Sequence, residues 1–525
     1  MRRYARPMGR AFAVRGIVEG FYGKPWSHSA RLEAISFLAP RGLNAYVYAP
    51  KDDAKHRADW RVPYDDGERA RFRELAAHAA AHDARFGFAI SPGLDVTYED
   101  AGDRAAILAK LEPLLEAGVP WFLLLLDDIP MQPGLASRQA ALATWLFERL
   151  RAARADTSLT LCPTEYVGTR PSAYLGDLGT GLPPEVDVMW TGPTVCSPAV
   201  SVDDAAGWTE ALGGHRTILW DNTPVNDATM TNELHLGPYR GRDAGLIDVL
   251  GGVLCNPMTQ PRASLVQLAT AMEFLSDPDG YDAPDAWERA IDDVAGKRAA
   301  PLAVLARACA DGPLAGTAAL DLSERVDRLE RALAGPGWAA AAADVAEELR
   351  AARALPDDLA PSDEGGPAGG LPDADLCAEV AAWAVSARAA AAAGLAALKL
   401  VQQVRPARRV DCTGGAATVP PDAEAAMHHA FALIYMWMAA RADEHVVYGP
   451  RFAIYTAVVQ LPDGRPALDV GTSLREDASA IDRLCRLALA DYEAWRRAPG
   501  AAGQVAADGP VPFRDARLVE AGGPR

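Results

Sequence analysis

The sequence predicts an α/β fold: a parallel (β/α)8 barrel followed by a mainly helical C-terminal region. Eight apolar runs that end in polar or glycine residues precede residue 260. Segments with helical spacing, such as 66–84 and 135–155, separate these runs. Beyond about residue 285 the composition shifts to alanine, leucine, arginine and glutamate, which are strong helix formers. Eight strands that alternate with helices over about 250 residues are typical of such a barrel.

The eight predicted strands carry chemically useful residues at their C-terminal ends. They lie within the runs AVRGIVEGFYG (13–23), NAYVYAPKDD (44–53), RFGFAISPGLD (85–95), WFLLLLDD (121–128), LTLCPTEY (159–166), VDVMWTGP (186–193), RTILWDN (216–222) and GGVLCNP (251–257). Because barrel active sites lie at the C-terminal ends of the strands, we expect these side chains to share one cleft. The link at 221–249 has the composition of a loop more than of a helix.

The composition along the chain also predicts its division into parts. These are a barrel catalytic domain at 1–285, a helical bundle at 286–405 with a mobile Pro/Gly/Asp-rich linker at 356–375, a helical and mixed region at 406–498, and a frayed tail at 499–525. Within the mixed region, residues 452–470 alternate around a Pro-Asp-Gly turn, which suggests a β-hairpin.

Bulk properties exclude several classes of protein. A formal net charge of −18 over 525 residues argues against a nucleic-acid partner, which normally meets a basic face. The seven cysteines are scattered without metal-type spacing, so we expect a reducing compartment and no disulfide framework. The N-terminus lacks the apolar region of a signal peptide, and no later stretch reads as long and apolar enough to span a membrane. A cytoplasmic protein with no membrane partner is expected.

The run WFLLLLDDIP, residues 121–130, combines a predicted buried strand with a pair of adjacent carboxylates. It leads an apolar strand into the adjacent carboxylates of Asp127 and Asp128 and stops at Pro130. Turn chemistry alone explains many such pairs. In a barrel cleft, however, two carboxylates can bind a divalent metal, can act as acid and nucleophile in glycoside hydrolysis, or can serve a substrate that brings its own nucleophile.

A metal site at Asp127 and Asp128 would need further ligands. Asp52 and Asp53 are available, but no histidine falls at a strand end and the acidic loops lack calcium-loop spacing. His78 and His82 lie one helical turn apart without the glutamate of a zinc-protease motif, so we expect a solvated helix face there. The pair at 428–429 is expected to be structural. We therefore predict no metal and no cofactor.

Adjacent carboxylates also have difficulty flanking a glycosidic bond, since ordinary glycosidases hold theirs about 5 Å or more apart, usually from separate strands. A 2-acetamido sugar removes this difficulty, because its own amide oxygen attacks the anomeric carbon. One carboxylate then needs only to accept the amide N–H. The other protonates the leaving oxygen and later activates water.

The motifs of all strand ends together resemble one known family. VEGFYGKPW, YVYAPKDDAKHRADWR, AISPGLD, LLLLDDI, CPTEY, WTGP, WDNTPVND and NP occur in the order found in glycoside hydrolase family 84, the O-GlcNAcases and bacterial β-N-acetylglucosaminidases. The resemblance covers roughly residues 12–275. It implies a retaining exo-β-N-acetylglucosaminidase that removes terminal β-GlcNAc by substrate-assisted catalysis, with O-GlcNAc-modified protein among its possible substrates.

The resemblance also implies roles for individual residues. Asp127 would orient and polarise the acetamido group, Asp128 would be the general acid/base, and Tyr166 would help to hold the acetamido oxygen. The substrate-binding residues would be Gly20, Lys51, Trp220, Asn222, Asp227 and Asn256, with Tyr22 and Cys162 as further wall residues.

Two other functions are also compatible with the sequence: an endo-acting, hyaluronidase-like hydrolase and a non-catalytic sugar-binding barrel. The first would need a groove open at both ends, and the second would usually have lost the acid. Helical regions of family members often dimerise, so a homodimer through this region is a further expectation. The expected partner is a β-GlcNAc-bearing glycoside or glycoprotein.

Overall fold

A closed barrel of parallel strands forms the first part of the molecule. The computed structural model describes residues 10–309, 321–333, 335, 337–361, 373–405, 423–448, 452–460, 466–474 and 479–496. The barrel strands are β1 (Val14–Glu19), β2 (Ala45–Tyr48), β3 (Arg85–Ile90), β4 (Trp121–Leu125), β5 (Ser158–Cys162), β6 (Asp187–Trp190), β7 (Thr217–Asp221) and β8 (Gly252–Cys255). Each pairs with its neighbours in chain order, and β8 pairs with β1. The predicted (β/α)8 barrel is confirmed, with one strand in each predicted run.

Helices alternate with the strands around most of the barrel. They are α1 (His28–Leu38), α2 (Asp66–Ala81), α3 (Ala101–Glu116), α4 (Leu135–Ala153), α5 (Ala173–Gly181), α6 (Val202–Ala211) and α7 (Pro261–Ser276). Between β7 and β8 the chain forms only two 3-10 turns, Ala228–Met230 and Ala244–Asp248, as the loop-rich sequence there predicts. Local sequence sets several helix starts: Asp65 and Glu68 form a capping box that satisfies two otherwise unpaired amide groups at the start of α2.

Side chains of the strands alternate between two separate cores. In β4, Trp121, Leu123 and Leu125 belong to a cluster inside the barrel, whereas Phe122 and Leu124 belong to the larger core between barrel and helices. Both faces of the strand are therefore buried, which explains its uninterrupted apolar run. The inner cluster also contains residues of all the other strands, so the barrel interior is filled with side chains.

A mainly helical region follows the barrel, as predicted. Its elements are α8 (Ala283–Ala295), α9 (Ala299–Cys309), α10 (Asp321–Ala332), α11 (Trp338–Asp358), α12 (Asp373–Val404), α13 (Ala423–Ala442) and α14 (Ala480–Arg496), with strands β9 (Phe452–Gln460) and β10 (Pro466–Leu474). The two strands pair antiparallel, so the predicted hairpin is present, although its turn at 461–465 lies outside the described residues. So do residues 362–372 of the predicted linker and the whole predicted tail; the linker's first residues belong to α11.

The expectation that no stretch can span a membrane needs correction. The segment Ala374–Val404 of α12 is long and apolar enough to do so by length and composition, but 61% of its most apolar window is buried inside the structure. It packs against α7, α9, α11, α13 and α14. Its apolar composition is therefore that of a central core helix, which the same length and hydropathy criteria do not separate from a membrane span.

The pair of His78 and His82 also differs from expectation. His78 is half-buried, and its Nε2 lies 2.8 Å from Ser36 Oγ and 3.0 Å from Leu32 O on α1. The two histidine rings lie 4.4 Å apart, centroid to centroid. The pair therefore packs between two helices and does not form a solvated face.

Candidate active site

The floor of the candidate site is a buried ion pair. Lys51 Nζ donates to Asp127 Oδ2, and both side chains are buried. The pleat of the strands puts them there, because Asp127 continues the inward series of Trp121, Leu123 and Leu125 past the end of β4. Lys51 continues the inward series of β2 in the same way.

The second oxygen of the Asp127 carboxylate is the clearest sign of a ligand. Asp127 Oδ1 is buried and accepts no hydrogen bond from any of the described residues. A buried acceptor left unsatisfied costs about 1–3 kcal/mol. A ligand N–H placed against Oδ1 would remove this cost, so the atom is prepared to receive a donor.

Asp128 lies in a different environment from Asp127. Its side chain is exposed, and its backbone takes the left-handed conformation with φ 53°. That conformation breaks the alternation of the strand and brings the side chain to the rim of the site, at a backbone cost that is smaller for Asp than for most residues. Tyr22 OH donates to Asp128 Oδ2 and Tyr166 OH donates to Asp128 Oδ1, each at 2.7 Å.

Burial and the charge of Asp128 raise the pKa of both phenols, Tyr22 and Tyr166. Both therefore remain neutral hydrogen-bond donors near neutral pH. Tyr166, expected to hold an acetamido oxygen, instead holds Asp128 in this structure. A ligand that accepted a hydrogen bond from the Tyr166 hydroxyl would have to replace Asp128 as its acceptor.

One wall of the site is a chain of hydrogen bonds between three strand ends. Gly20 N donates to Asn256 Oδ1 at 3.1 Å, and Asn256 Nδ2 donates to Asn222 Oδ1 at 3.0 Å. Asn222 Oδ1 also accepts from Trp220 Nε1 at 3.0 Å, and Asn222 Nδ2 donates to Val195 O at 2.8 Å. Both side-chain atoms of Asn222 are thus engaged, so in this structure the residue fixes the wall from behind.

Gly20 is required by the indole that forms this wall. A Cβ atom at Gly20 would lie 2.1 Å from Cζ2 of Trp220, which no side chain can tolerate. Trp220 itself is buried in the inner cluster together with Cys162, and Lys51 Nζ lies 5.5 Å from the centroid of the indole ring. Burial, followed by the charge of Asp127, raises the pKa of the Cys162 thiol, which is therefore an apolar wall residue.

Asp227 closes the site on the side of the loop between β7 and β8. Its Oδ2 accepts a hydrogen bond from Tyr22 N at 2.8 Å. Burial raises the pKa of Asp227, the bond from Tyr22 N opposes this rise, and the negative charge of Asp128 adds to it. All residues predicted for the site are therefore gathered around one cleft.

A layer of residues behind the cleft was not among the predicted site residues. Glu19 is fully buried and accepts from Trp26 N at 3.0 Å, from Tyr46 OH at 2.6 Å, and from Arg31 Nε and Nη2 at 2.7 and 2.8 Å. These bonds fix both ends of the loop that carries Tyr22. The signal was present as a carboxylate inside an apolar run, where an unpaired charge is too costly to bury.

His56 is a second missed residue, since it lies close to Lys51 despite not ending a strand. It is fully buried, with Nδ1 at 2.9 Å from Ala89 O. Burial and the nearby charge of Lys51 lower the pKa of His56 to about 3. The imidazole is therefore neutral, and the charge of Lys51 is balanced by Asp127.

No group of three or more histidine, cysteine or acidic side chains in the described part of the chain is arranged to hold a metal ion. The cleft consists instead of three carboxylates with different exposure, two phenols, a lysine, an indole and amides. Such a set can bind a neutral polyhydroxylated ring and can move a proton at its rim.

Comparison with known proteins agrees with this chemistry. The family model described as beta-N-acetylglucosaminidase matches residues 15–307, which is more than half of the chain. The chain belongs to this family. The resemblance to glycoside hydrolase family 84 is thereby confirmed. The members of the β-N-acetylglucosaminidase family are glycoside hydrolases.

Individual members of the β-N-acetylglucosaminidase family support the assignment. The Protein O-GlcNAcases of Rattus norvegicus and Mus musculus are each 36% identical to the chain over 270 residues. These matches cover 49% of this chain and 29% of each relative, so the chain spans less than a third of these curated proteins. A mutant of the Thermobaculum terrenum O-GlcNAc hydrolase superposes with a TM-score of 0.73 at 28% identity, covering 83% of this chain and 91% of that one.

Proposed function

We propose that the chain is a retaining exo-β-N-acetylglucosaminidase that uses the substrate's 2-acetamido group as the nucleophile. The observation that carries this proposal is Asp127 Oδ1, a buried acceptor without a partner among the described residues, at the floor of the cleft. An amide N–H is the donor that such a site fits. Asp128 lies next to it, exposed at the rim where an aglycone would leave.

In the first step, the amide oxygen of the sugar attacks the anomeric carbon while the bond to the leaving oxygen breaks. Asp128 gives its proton to that oxygen, and Asp127 accepts the amide N–H as the nitrogen becomes positive. In the second step, Asp128 takes a proton from water, and the water oxygen displaces the amide oxygen from the anomeric carbon. Two displacements at one carbon retain the β configuration.

Lys51 and Tyr166 support these two steps in different ways. Lys51 holds Asp127 by one oxygen, which leaves the other oxygen directed to the amide. Tyr166 OH is 2.7 Å from Asp128 Oδ1 and would transfer its hydrogen bond to the acetamido oxygen when a sugar binds. Such a transfer would also release Asp128 to act on the leaving oxygen.

Asp227 supports exo action. Its half-buried carboxylate closes the cleft on the side of the loop between β7 and β8. Hydroxyls at the non-reducing edge of a sugar would donate to it there. Charge-assisted bonds of this kind are worth roughly 1.5–3 kcal/mol each. A sugar substituted at its 4-hydroxyl would clash and leave Asp227 without its donor, so internal units of a polymer would be excluded.

The test is a comparison of a simple aryl N-acetylglucosaminide with intact hyaluronan. We expect the purified protein to release the aryl group, and Asp227→Ala to lower the turnover of this substrate by about 10- to 100-fold, which corresponds to one such bond. Hyaluronan should keep its viscosity during long incubation. Rapid loss of viscosity with little free monosaccharide would instead establish an endo-acting groove, and absence of any hydrolysis would establish a non-catalytic barrel.

For the aglycone we propose O-GlcNAc-modified protein as the substrate class, because the curated relatives and the similar structure are named for this activity. Relative rates on an O-GlcNAc glycopeptide, a muropeptide and chitobiose test this choice. The glycopeptide should be hydrolysed fastest. A faster rate on the muropeptide or on chitobiose would reject it.

We also propose that the protein is cytoplasmic and that it forms a homodimer through its helical region. On α13 the side chains of Phe431, Tyr435 and Met438 are 52%, 79% and 65% exposed, and they follow one another at the spacing of a single helix face. Exposed apolar side chains in such a row are typical of an interaction surface. Light scattering should give twice the chain mass, and replacement of all three residues by serine should give the monomer.

A further inference from the structure

The helical region contacts the barrel at the loop that carries Asp227. Trp383 on α12 donates from its indole Nε1 to Asn232 O at 3.0 Å, and Val446 N donates to the same oxygen at 2.8 Å. The side chain of Trp383 is buried, and its ring packs edge-on against His445 with centroids 4.9 Å apart. Two donors from the helical region therefore hold one carbonyl of this barrel loop.

The loop between Asp227 and Asn232 is short and tightly turned. Met230 N donates to Asp227 O at 2.9 Å, and Glu233 N donates to Met230 O at 2.8 Å. Ala228, directly after Asp227, has a left-handed backbone with φ 51°. That conformation is unfavourable for alanine and persists only where the surroundings impose it. A single constrained turn thus links Asn232 to Asp227.

A second contact lies one helical turn away on α12. Glu379 Oε2 accepts hydrogen bonds from Arg262 N and Ala263 N, both at 2.9 Å, at the first turn of α7. An acceptor at this place satisfies amide groups that a helix start leaves unpaired. The segment just before α7 contains Asn256 of the wall, so Glu379 fixes the start of the helix that follows this segment.

The two barrel loops are joined to each other as well. Asn226 Nδ2 donates to Gln260 Oε1 at 2.9 Å, and Thr259 N donates to Asn226 Oδ1 at 3.1 Å. Glu379 and Trp383 are four residues apart and therefore share one face of α12. One helix face thus contacts a connected pair of loops, and each loop carries a residue of the sugar site.

We propose that Glu379 and Trp383 are positioning residues of the active site, which act through Asp227 and Asn256 without touching the sugar. The proposal rests on the proposed function, since it assigns Asp227 to the sugar hydroxyls. On this view the helical region is a functional part of the catalytic site. A contact that served only to attach the helices would stabilise the fold but would leave sugar affinity unchanged.

A double-mutant cycle between Trp383→Phe and Asp227→Ala tests the link. Trp383→Phe keeps an aromatic ring at this position and removes the indole N–H, so kcat/KM on an aryl N-acetylglucosaminide should fall about 2- to 10-fold, mainly through a rise in KM. In the Asp227→Ala background the same change should have little further effect. Equal losses in both backgrounds would overturn the proposal, because independent effects add.

Trp495→Phe on α14 is the matched control, since Trp495 is buried and its Nε1 has no hydrogen-bond partner among the described residues. It should leave KM unchanged. A rise in KM as large as that of Trp383→Phe would show a general effect of changing helical tryptophans and would also overturn the proposal. Inactivity of the wild-type protein would count against the proposed function itself, which separates the two failures.

Glu379 gives an independent second arm. Glu379→Gln keeps an acceptor for the α7 amides and should retain KM within about 2-fold of the wild type, whereas Glu379→Ala should raise KM several-fold at a temperature where both variants are fully folded. Unfolding curves establish that temperature. Equal KM values for the wild type and Glu379→Ala would remove Glu379 from the proposal.

Discussion

The floor and the rim of the cleft differ sharply, although adjacent residues build them. Asp127 at the floor is buried and paired with Lys51, with one oxygen left without a partner among the described residues. Asp128 at the rim is exposed and accepts a hydrogen bond on each oxygen from Tyr22 and Tyr166. The floor therefore offers a fixed charge to a ligand, whereas the rim offers a group that water and an aglycone can reach.

This difference indicates how one dipeptide can hold two roles. A strand places successive side chains on opposite faces, so Asp127 faces the barrel interior. The left-handed backbone of Asp128 redirects the second side chain to the rim. Substitutions of the two residues should consequently impair catalysis in different ways.

Asp128→Ala should have the largest effect, and only with poor leaving groups. Loss of a general acid costs about 10²–10⁴-fold when the leaving oxygen needs a proton. An acidic phenol needs little protonation, so its first step should be partly spared. A plot of kcat/KM against leaving-group pKa measures this, and it should be much steeper for Asp128→Ala than for the wild type. Equal slopes would remove Asp128 from the role of acid.

Asp127→Ala should slow every substrate by a similar factor, whatever its leaving group. It removes the acceptor of the amide N–H, a loss we place near 10²–10³-fold by analogy with single donors of oxyanion holes. It also leaves Lys51 as an unpaired buried charge, which destabilises proteins by about 3–5 kcal/mol. Lys51→Met in the Asp127→Ala background should recover stability but not activity. Recovery of both would contradict the catalytic role of Asp127.

Tyr22→Phe should have a smaller effect that is confined to the rim. It removes one hydrogen bond to Asp128 from a side chain that is 39% exposed, so stability should hardly change. We expect kcat/KM with poor leaving groups to fall about 2- to 10-fold, the net value of one hydrogen bond. Thermal unfolding of the two proteins supplies the control. A large drop in the unfolding temperature would mean that Tyr22 belongs to the floor and not to the rim.

The smallest expected effect is a rise of KM in acid that depends on Asp227. Only the ionised carboxylate can accept hydrogen bonds on both oxygens, from Tyr22 N and from sugar hydroxyls. Burial and the charge of Asp128 raise the pKa of Asp227, while the bond from Tyr22 N and the charge of Lys51 lower it. Since the net shift is upward, this acceptor is lost at a higher pH than for an ordinary aspartate. KM of the wild type should rise as pH falls from 7 towards 4, and KM of Asp227→Asn should stay flatter. Parallel curves would refute this origin.

The barrel and most of its cleft were predictable because they depend on local patterns. Each strand is a short apolar run, and the pleat fixes which side chains face inward beyond its end. Gly20, Lys51, Asp127, Trp220, Asn222 and Asn256 all continue the inward series of their strands, next to Val18, Ala49, Leu125, Ile218 and Leu254 of the inner cluster. The family motifs name the same residues.

The sequence was less informative about groups whose environment is made by distant segments. The spacing of His78 and His82 predicts a solvated helix face, yet His78 bonds to α1. The apolar composition of α12 likewise does not distinguish a core helix from a membrane span. The partner of Lys51 was likewise missed, because a lysine at a strand end can meet a ligand or a carboxylate. Burial of these groups is a property of the packed molecule.

Local sequence patterns are thus enough to predict the order of strands and helices, the inward direction of the strand-end residues and the adjacent carboxylate pair. Only the tertiary structure decided that Asp127 is buried against Lys51, that Asp128 is exposed between two phenols, and that Trp383 and Glu379 reach the loops of the site. The difference lies in the sequence separation of the residues that interact. Periodicity and turn chemistry act over a few residues, whereas the Trp383 and Asn232 contact joins positions 151 residues apart, which only the closed barrel and its packed helices bring together.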